Sequence, residues 1–118
     1  MLLNDLRFTA RMPAFEIAKL AGKPAAADLA NEFVIVQGIV DLAVLKSDEI
    51  WLLDFKTDAL KSDELPEKTR LYEPQLTLYS RALAEIFKRP VSQAWLYFLR
   101  LGEAVEMELV RTGLGAVV

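Results

Sequence analysis

Cysteine and histidine are both absent from this 118-residue chain, and each absence removes a class of chemistry. Without thiols there are no disulfides, thiolate zinc sites, iron–sulfur clusters or cysteine nucleophiles. Without imidazole, a Ser-His-Asp triad cannot be assembled from this chain. A metal ion held here must rest on oxygen, which favours hard ions such as Mg2+ or Mn2+ over structural zinc. Long apolar runs are missing too, since no stretch reaches the roughly 18 residues that mark a membrane span. No signal peptide with a charged start, an apolar centre and a small-residue cleavage site is legible. A cytoplasmic protein with no membrane partner is the expectation. A basic excess is also lacking. The net charge of -3 does not suggest a basic nucleic-acid binder, although a site built from carboxylates is acidic by design and a bound metal reverses its local field.

What is present suffices for one compact domain over residues 1–118. Hydrophobic residues make up 53% and charged residues 26% of the chain, enough for a real core under a solvated surface. Residues 8–17 form a short apolar run broken by Pro13, which predicts an edge strand. The alanine-rich residues 21–31 predict a loop. Residues 32–45 are β-branched and apolar, Lys46-Ser47-Asp48-Glu49 makes a polar turn, and residues 50–56 resume the apolar pattern, so a hairpin is predicted. Residues 58–70 are polar, carry Pro66 and both signs of charge, and predict an exposed connection. Leu76, Tyr79, Leu83 and Phe87 then recur at helical spacing and predict a helix over residues 72–89. Pro74 is expected in its first turn and Pro90 beyond its end. Residues 91–110 predict one or two further strands joined by a turn near Gly102-Glu103. The expected order is strand, hairpin, helix, strand: an α+β fold with a mixed sheet flanked by helix.

Two acids interrupt the apolar hairpin, and they are its most informative residues. Burying an isolated carboxylate costs several kcal/mol or more, so an acid in a core-bound strand generally has a cation or a chemical task beside it. In a hairpin turning at Ser47-Asp48, positions whose numbers sum to about 95 face each other. Asp41 then lies opposite Asp54 or its immediate neighbour. Two such carboxylates repel unless a cation sits between them, and a divalent ion coordinated by both resolves the conflict. The backbone carbonyl of Phe55 is placed to add a further ligand. Asp54 and Lys56 share a strand face, so an ammonium group stands beside the expected ion. There it can orient a metal-bound water or stabilise charge on a phosphate under attack. On the helix, Tyr72, Gln75 and Tyr79 share a face and offer an amide and two phenols to the lysine, a phosphate or a base.

Plainer readings exist for each feature. Asp54 and Lys56 could be an exposed ion pair on an edge strand, Asp41 could open a turn, and the helix residues could be core and rim. A different carboxylate enzyme, such as a glycosidase with Asp41 and Asp54 as acid and nucleophile, is a further possibility, but it gives Lys56 no task.

Taken together, Gly38-Ile39-Val40-Asp41, Asp54-Phe55-Lys56-Thr57-Asp58 and Tyr72-Glu73-Pro74-Gln75-Leu76-Thr77-Leu78-Tyr79 resemble the C-terminal nuclease domain of the RecB and AddA proteins, within the PD-(D/E)XK nuclease superfamily. The likeness spans residues 32–100 and rests on three motifs in order. It implies a restriction-endonuclease-like sheet flanked by helices and magnesium- or manganese-dependent DNA cleavage. It also implies a covalently linked helicase domain and a partner subunit, in DNA repair and recombination. By the same resemblance, Asp41 and Asp54 are metal ligands and Lys56 is the catalytic lysine, while Gln75 and Tyr79, with Tyr72 beside them, support the site and contact DNA. Relatives usually add an acid or histidine from a helix ahead of the first strand. Glu16 and Glu32 are the candidate substitutes here. The simpler expectation is a fragment of a longer helicase-nuclease whose upstream helix lies outside these residues, leaving the piece alone weakly active or inactive. A nuclease fold that holds DNA or a protein without cutting is the alternative reading.

Overall fold

The computed structural model describes residues 1–20 and 31–109. The predicted loop over residues 21–31 lies, but for Asn31, outside them. One five-stranded sheet carries the fold, in the spatial order β1 (Leu2–Pro13), β2 (Phe33–Leu45), β3 (Ile50–Lys56), β4 (Val91–Phe98) and β5 (Glu103–Glu106). The β3/β4 pair is parallel and the other pairs are antiparallel, which makes the sheet mixed. The parallel pair requires a crossover, and this is supplied by α2 (Leu65–Phe87), packed against β1, β2 and β4. A short helix, α1 (Ala14–Leu20), packs against α2 and the first two strands.

The predicted hairpin forms with the expected register. Leu42 faces Leu53, Ala43 faces Leu52, Val44 faces Trp51 and Leu45 faces Ile50. The turn closes through the Lys46 N–H, which donates to the Glu49 carbonyl at 2.9 Å. Gly102, with φ of 66°, makes the turn between β4 and β5, as its freedom from a Cβ permits.

Three expectations need correction. The edge strand does not run to residue 17: it extends from Leu2 and ends at Pro13, after which Ala14–Leu20 is helical. Proline has no N–H to continue a ladder, and the following helix has Glu16 in its first turn and Lys19 in its last, each favourable to the helix dipole. Residues 58–70 are not all connection. A 3-10 turn at Ser62–Glu64 leads into α2 at Leu65, seven residues ahead of the predicted start. The first-turn proline is therefore Pro66, and Pro74 stands inside the helix. Pro74 is exposed, so the backbone carbonyl it leaves without a helical donor can be solvated.

The core lies between the sheet and α2. Val40, Ala43, Ile50, Leu52, Leu83, Leu96 and Phe98 are among its most deeply buried members. Of the predicted helix stripe, Leu76 and Leu83 are buried, and Tyr79 and Phe87 pack against the cluster from its margin. One irregularity bears on the two acids. Val36 and Val40 are buried in one phase of β2 and Ala43 in the other, so strict alternation slips between them. The neighbouring strand is irregular at the same level, where Asp5 takes a φ of 49° and drops out of the pairing with Asp41 while the register on either side, Leu6↔Val40 and Asn4↔Leu42, is kept. Such an irregularity re-aims a side chain. Counted from Val40, Asp41 would face away from the core; counted from Ala43, it shares the face of Asp54.

Candidate active site

The paired part of the β2/β3 ladder reaches Leu42↔Leu53 and goes no further. Beyond that step the carboxylate of Asp41 replaces a strand partner, and its Oδ2 accepts the Phe55 N–H at 2.8 Å. The Asp54 carboxyl lies near enough to Asp41 for the two acids to act on each other, and Asp41 is among the groups that raise it. The two acids expected to meet across the hairpin do meet.

Their electrostatics are those of a shared site. Burial raises the Asp54 carboxyl above the ordinary aspartate range, and the neighbouring Asp41 raises it further; Lys56 opposes both and is outweighed. Two full negative charges about 4 Å apart would repel by roughly 4 kcal/mol at an effective dielectric of 20.

Lys56 completes the arrangement. Its Nζ lies 3.0 Å from Asp54 Oδ2, and the two side chains are only 15% and 14% exposed. The plainer reading, an exposed pair on an edge strand, fails on both counts because β3 is flanked by β2 and β4. The Lys56 carbonyl accepts the Leu99 N–H at 2.9 Å, which anchors the backbone to the loop after β4. The ammonium also stands 4.0 Å from the centroid of the Tyr72 ring, a cation–π contact.

The helix residues divide into two groups. Tyr72 joins the carboxylate–lysine cluster. Gln75 does not touch the lysine: its exposed amide donates to the Tyr79 hydroxyl at 3.4 Å. The Tyr79 ring meets Phe8 edge-on at 5.0 Å and covers Gly38. A Cβ on Gly38 would stand 2.6 Å from Tyr79 Cζ and 2.7 Å from Phe8 Cζ, which is why that position has no side chain.

Two residues given no role from sequence belong to the cluster. The Tyr72 hydroxyl lies 3.0 and 2.9 Å from the two oxygens of Asp58, and Lys68 Nζ lies 3.2 Å from Asp58 Oδ2. Burial acts to raise Asp58, but the hydrogen bonds from Tyr72 and Lys68 outweigh it and hold the carboxyl below its usual range. Burial, then the bond to Asp58, raises the Tyr72 phenol. The only sequence signal was that Asp58 closes the string carrying Asp54 and Lys56. The candidate substitutes lie elsewhere: Glu16, on α1, faces Arg81 at 4.0 Å, and Glu32 lends its backbone carbonyl to the Ala14 N–H. Among the described residues no third acid joins Asp41 and Asp54 in a metal-binding group.

The donor set nevertheless suits a hard divalent ion, with two neighbouring carboxylates where the paired strands part. A doubly charged ion between the two carboxylates would remove their repulsion, and their oxygens are the ligands such ions require.

A mixed sheet with a crossover helix, and a pair of acids beside a lysine on adjoining strands, define a class of nuclease. The chain belongs to the PD-(D/E)XK nuclease superfamily, whose family model matches residues 3–113. The resemblance to the RecB and AddA type is borne out by its relatives, which include proteins named as ATP-dependent helicase/nuclease subunits. That of Moorella thermoacetica is 41% identical over 81% of this chain, and that of Carboxydothermus hydrogenoformans 38% identical over 65%. The Natranaerobius thermophilus protein is 31% identical over 91%. The matched regions cover 6%, 7% and 10% of those relatives' lengths, respectively. No helix among the described residues is long and apolar enough to cross a membrane.

Proposed function

We propose that this chain is the metal-dependent DNA-cleaving domain of a RecB/AddA-like helicase-nuclease, acting as an exodeoxyribonuclease in cytoplasmic DNA repair and recombination. The carrying observation is the pair of neighbouring acids where β2 and β3 part, Asp41 bonded to the Phe55 N–H at 2.8 Å and Asp54 with the Lys56 ammonium 3.0 Å away. Asp41, Asp54 and the Phe55 carbonyl would hold Mg2+ or Mn2+. When bound, such an ion lowers the pKa of a coordinated water and polarises the phosphoryl group.

The chain's own residues do the rest. Asp41 and Asp54 fix the position of the scissile phosphate relative to β3. Lys56 donates to the attacking water or to the phosphate oxygen that gathers negative charge as the water oxygen bonds to phosphorus and the ester bond breaks. Gln75 and Tyr79, on the neighbouring helix, are assigned to the DNA backbone. The helicase domain and its partner protein are proposed from the names of the relatives, of which this chain matches only a small part. The glycosidase alternative loses support, because the chain matches the PD-(D/E)XK nuclease superfamily over residues 3–113 and a glycosidase mechanism gives Lys56 no task.

Cleavage by the intact protein tests the assignment. Asp54→Ala and Lys56→Ala should each lower DNA hydrolysis by at least about a hundredfold, in line with loss of a principal charge-stabilising group, with the circular dichroism spectrum unchanged. Substantial cleavage by either variant would refute the assigned roles, and folded variants that bind DNA as before would separate chemistry from affinity.

A further inference from the structure

The geometry points to Asp58 and Tyr72 as positioning residues that hold the Lys56 ammonium in place while Asp54 is engaged with a cation, an inference that rests on the nuclease reading above. Lysine is a compact charge on a flexible four-carbon stem, so fixing its backbone does not fix its head. The Leu99 N–H secures the Lys56 carbonyl, and two contacts hold the ammonium: Asp54 Oδ2 at 3.0 Å and the Tyr72 ring centroid at 4.0 Å. The first contact has a competitor. A divalent ion between Asp41 and Asp54 draws on the same carboxylate and weakens its attraction for Lys56. The aromatic face carries no net charge to surrender and retains its hold.

That hold works only if the ring is aimed. The body of Tyr72 packs against the buried Phe98, with centroids 6.4 Å apart. Its hydroxyl lies within hydrogen-bond reach of both Asp58 oxygens, at 2.9 and 3.0 Å. Lys68, 3.2 Å from Asp58 Oδ2, keeps that carboxylate in its accepting, ionised form and balances its charge. Asp58 therefore acts through Tyr72. It ties the segment leaving β3 to the second turn of α2, and with it the helix that carries the ring to the strand that carries the lysine.

The test uses two conservative breaks in the chain of contacts. Tyr72→Phe keeps the ring and removes its tether, and Asp58→Ala removes the anchor. In the metal-free protein, the Lys56 CεH2 protons should resonate upfield of an ordinary lysine through the ring current of Tyr72, and both variants should move them toward the ordinary position. In cleavage assays each variant should lower kcat about tenfold, the loss expected for releasing a partly buried cation–π contact, with KM for DNA unchanged. The double variant should be no worse than either single one, because both break the same tether. An upfield signal that persists in either variant overturns the positioning role, as do losses that multiply in the double variant. Unimpaired cleavage by Lys56→Ala overturns instead the nuclease reading beneath it, and the metal-free spectrum distinguishes the two failures.

Discussion

Asp41 is informative because it does two things at once: it replaces a strand partner for Phe55 and crowds a second acid. Asparagine keeps the first role and relieves the second, since its amide oxygen can accept the Phe55 N–H and its NH2 can donate to Asp54. The sign of the pH dependence follows from the raised Asp54 carboxyl. A carboxyl held above its unfolded value stabilises the fold fully below the unfolded pKa of about 3.9, and this contribution is lost as pH rises through the folded value. Metal-free wild-type protein is therefore penalised at neutral pH. Asp41→Asn should raise its unfolding free energy at pH 7 by on the order of 1 kcal/mol after allowance for solvent screening, with a smaller gain near pH 4. A lower melting temperature at pH 7 would contradict a repulsive pair. Gly38 offers a steric counterpart. Gly38→Ala drives a methyl group into the Tyr79 and Phe8 rings, and overpacking of this kind should cost about 1–3 kcal/mol in a denaturant titration. A neutral result would mean that both rings yield freely.

Among the elements, the hairpin was the most legible. Its polar turn and apolar flanks fix the register near the turn, and that register places Asp41 across from Asp54. The same logic fails when started from the far end of β2, because the phase slip beside Asp41 leaves no mark in the residue types. The beginning of α2 was hidden for a different reason. Its first two turns present Glu67, Lys68 and Arg70 to solvent or to other charges, and a helix with little apolar stripe there looks like a connection. Misplacing that start misassigned the prolines. An interior proline forfeits a helical hydrogen bond at a cost of about 3 kcal/mol, partly offset by about 1 kcal/mol through the stiffer unfolded chain. Pro74→Ala should accordingly raise stability by about 2 kcal/mol in thermal or urea unfolding, and a decrease would show that α2 depends on the bend. The Tyr72–Asp58 contact could not be read at all, since it joins groups across a connection whose path the sequence leaves open.

In the molecule as a whole, α2 and the core cover one face of the sheet and the β2/β3 fork opens beside that layer. The other face carries half-buried Trp51 and Trp95 and more exposed Ile35, Ile39 and Phe55. The fold thus concentrates its burial on one side and places its charged cluster where two paired strands part, close enough to the core to make the acids costly. The proposed chemistry requires that a doubly charged ion bind between the two acids. A titration of the metal-free protein with Mn2+, followed by electron paramagnetic resonance, measures that binding. The expected result is one ion bound per chain in the wild type, with binding weakened at least about tenfold in Asp54→Ala as a carboxylate ligand is lost. Equal binding by the two proteins, or none by either, would contradict the account.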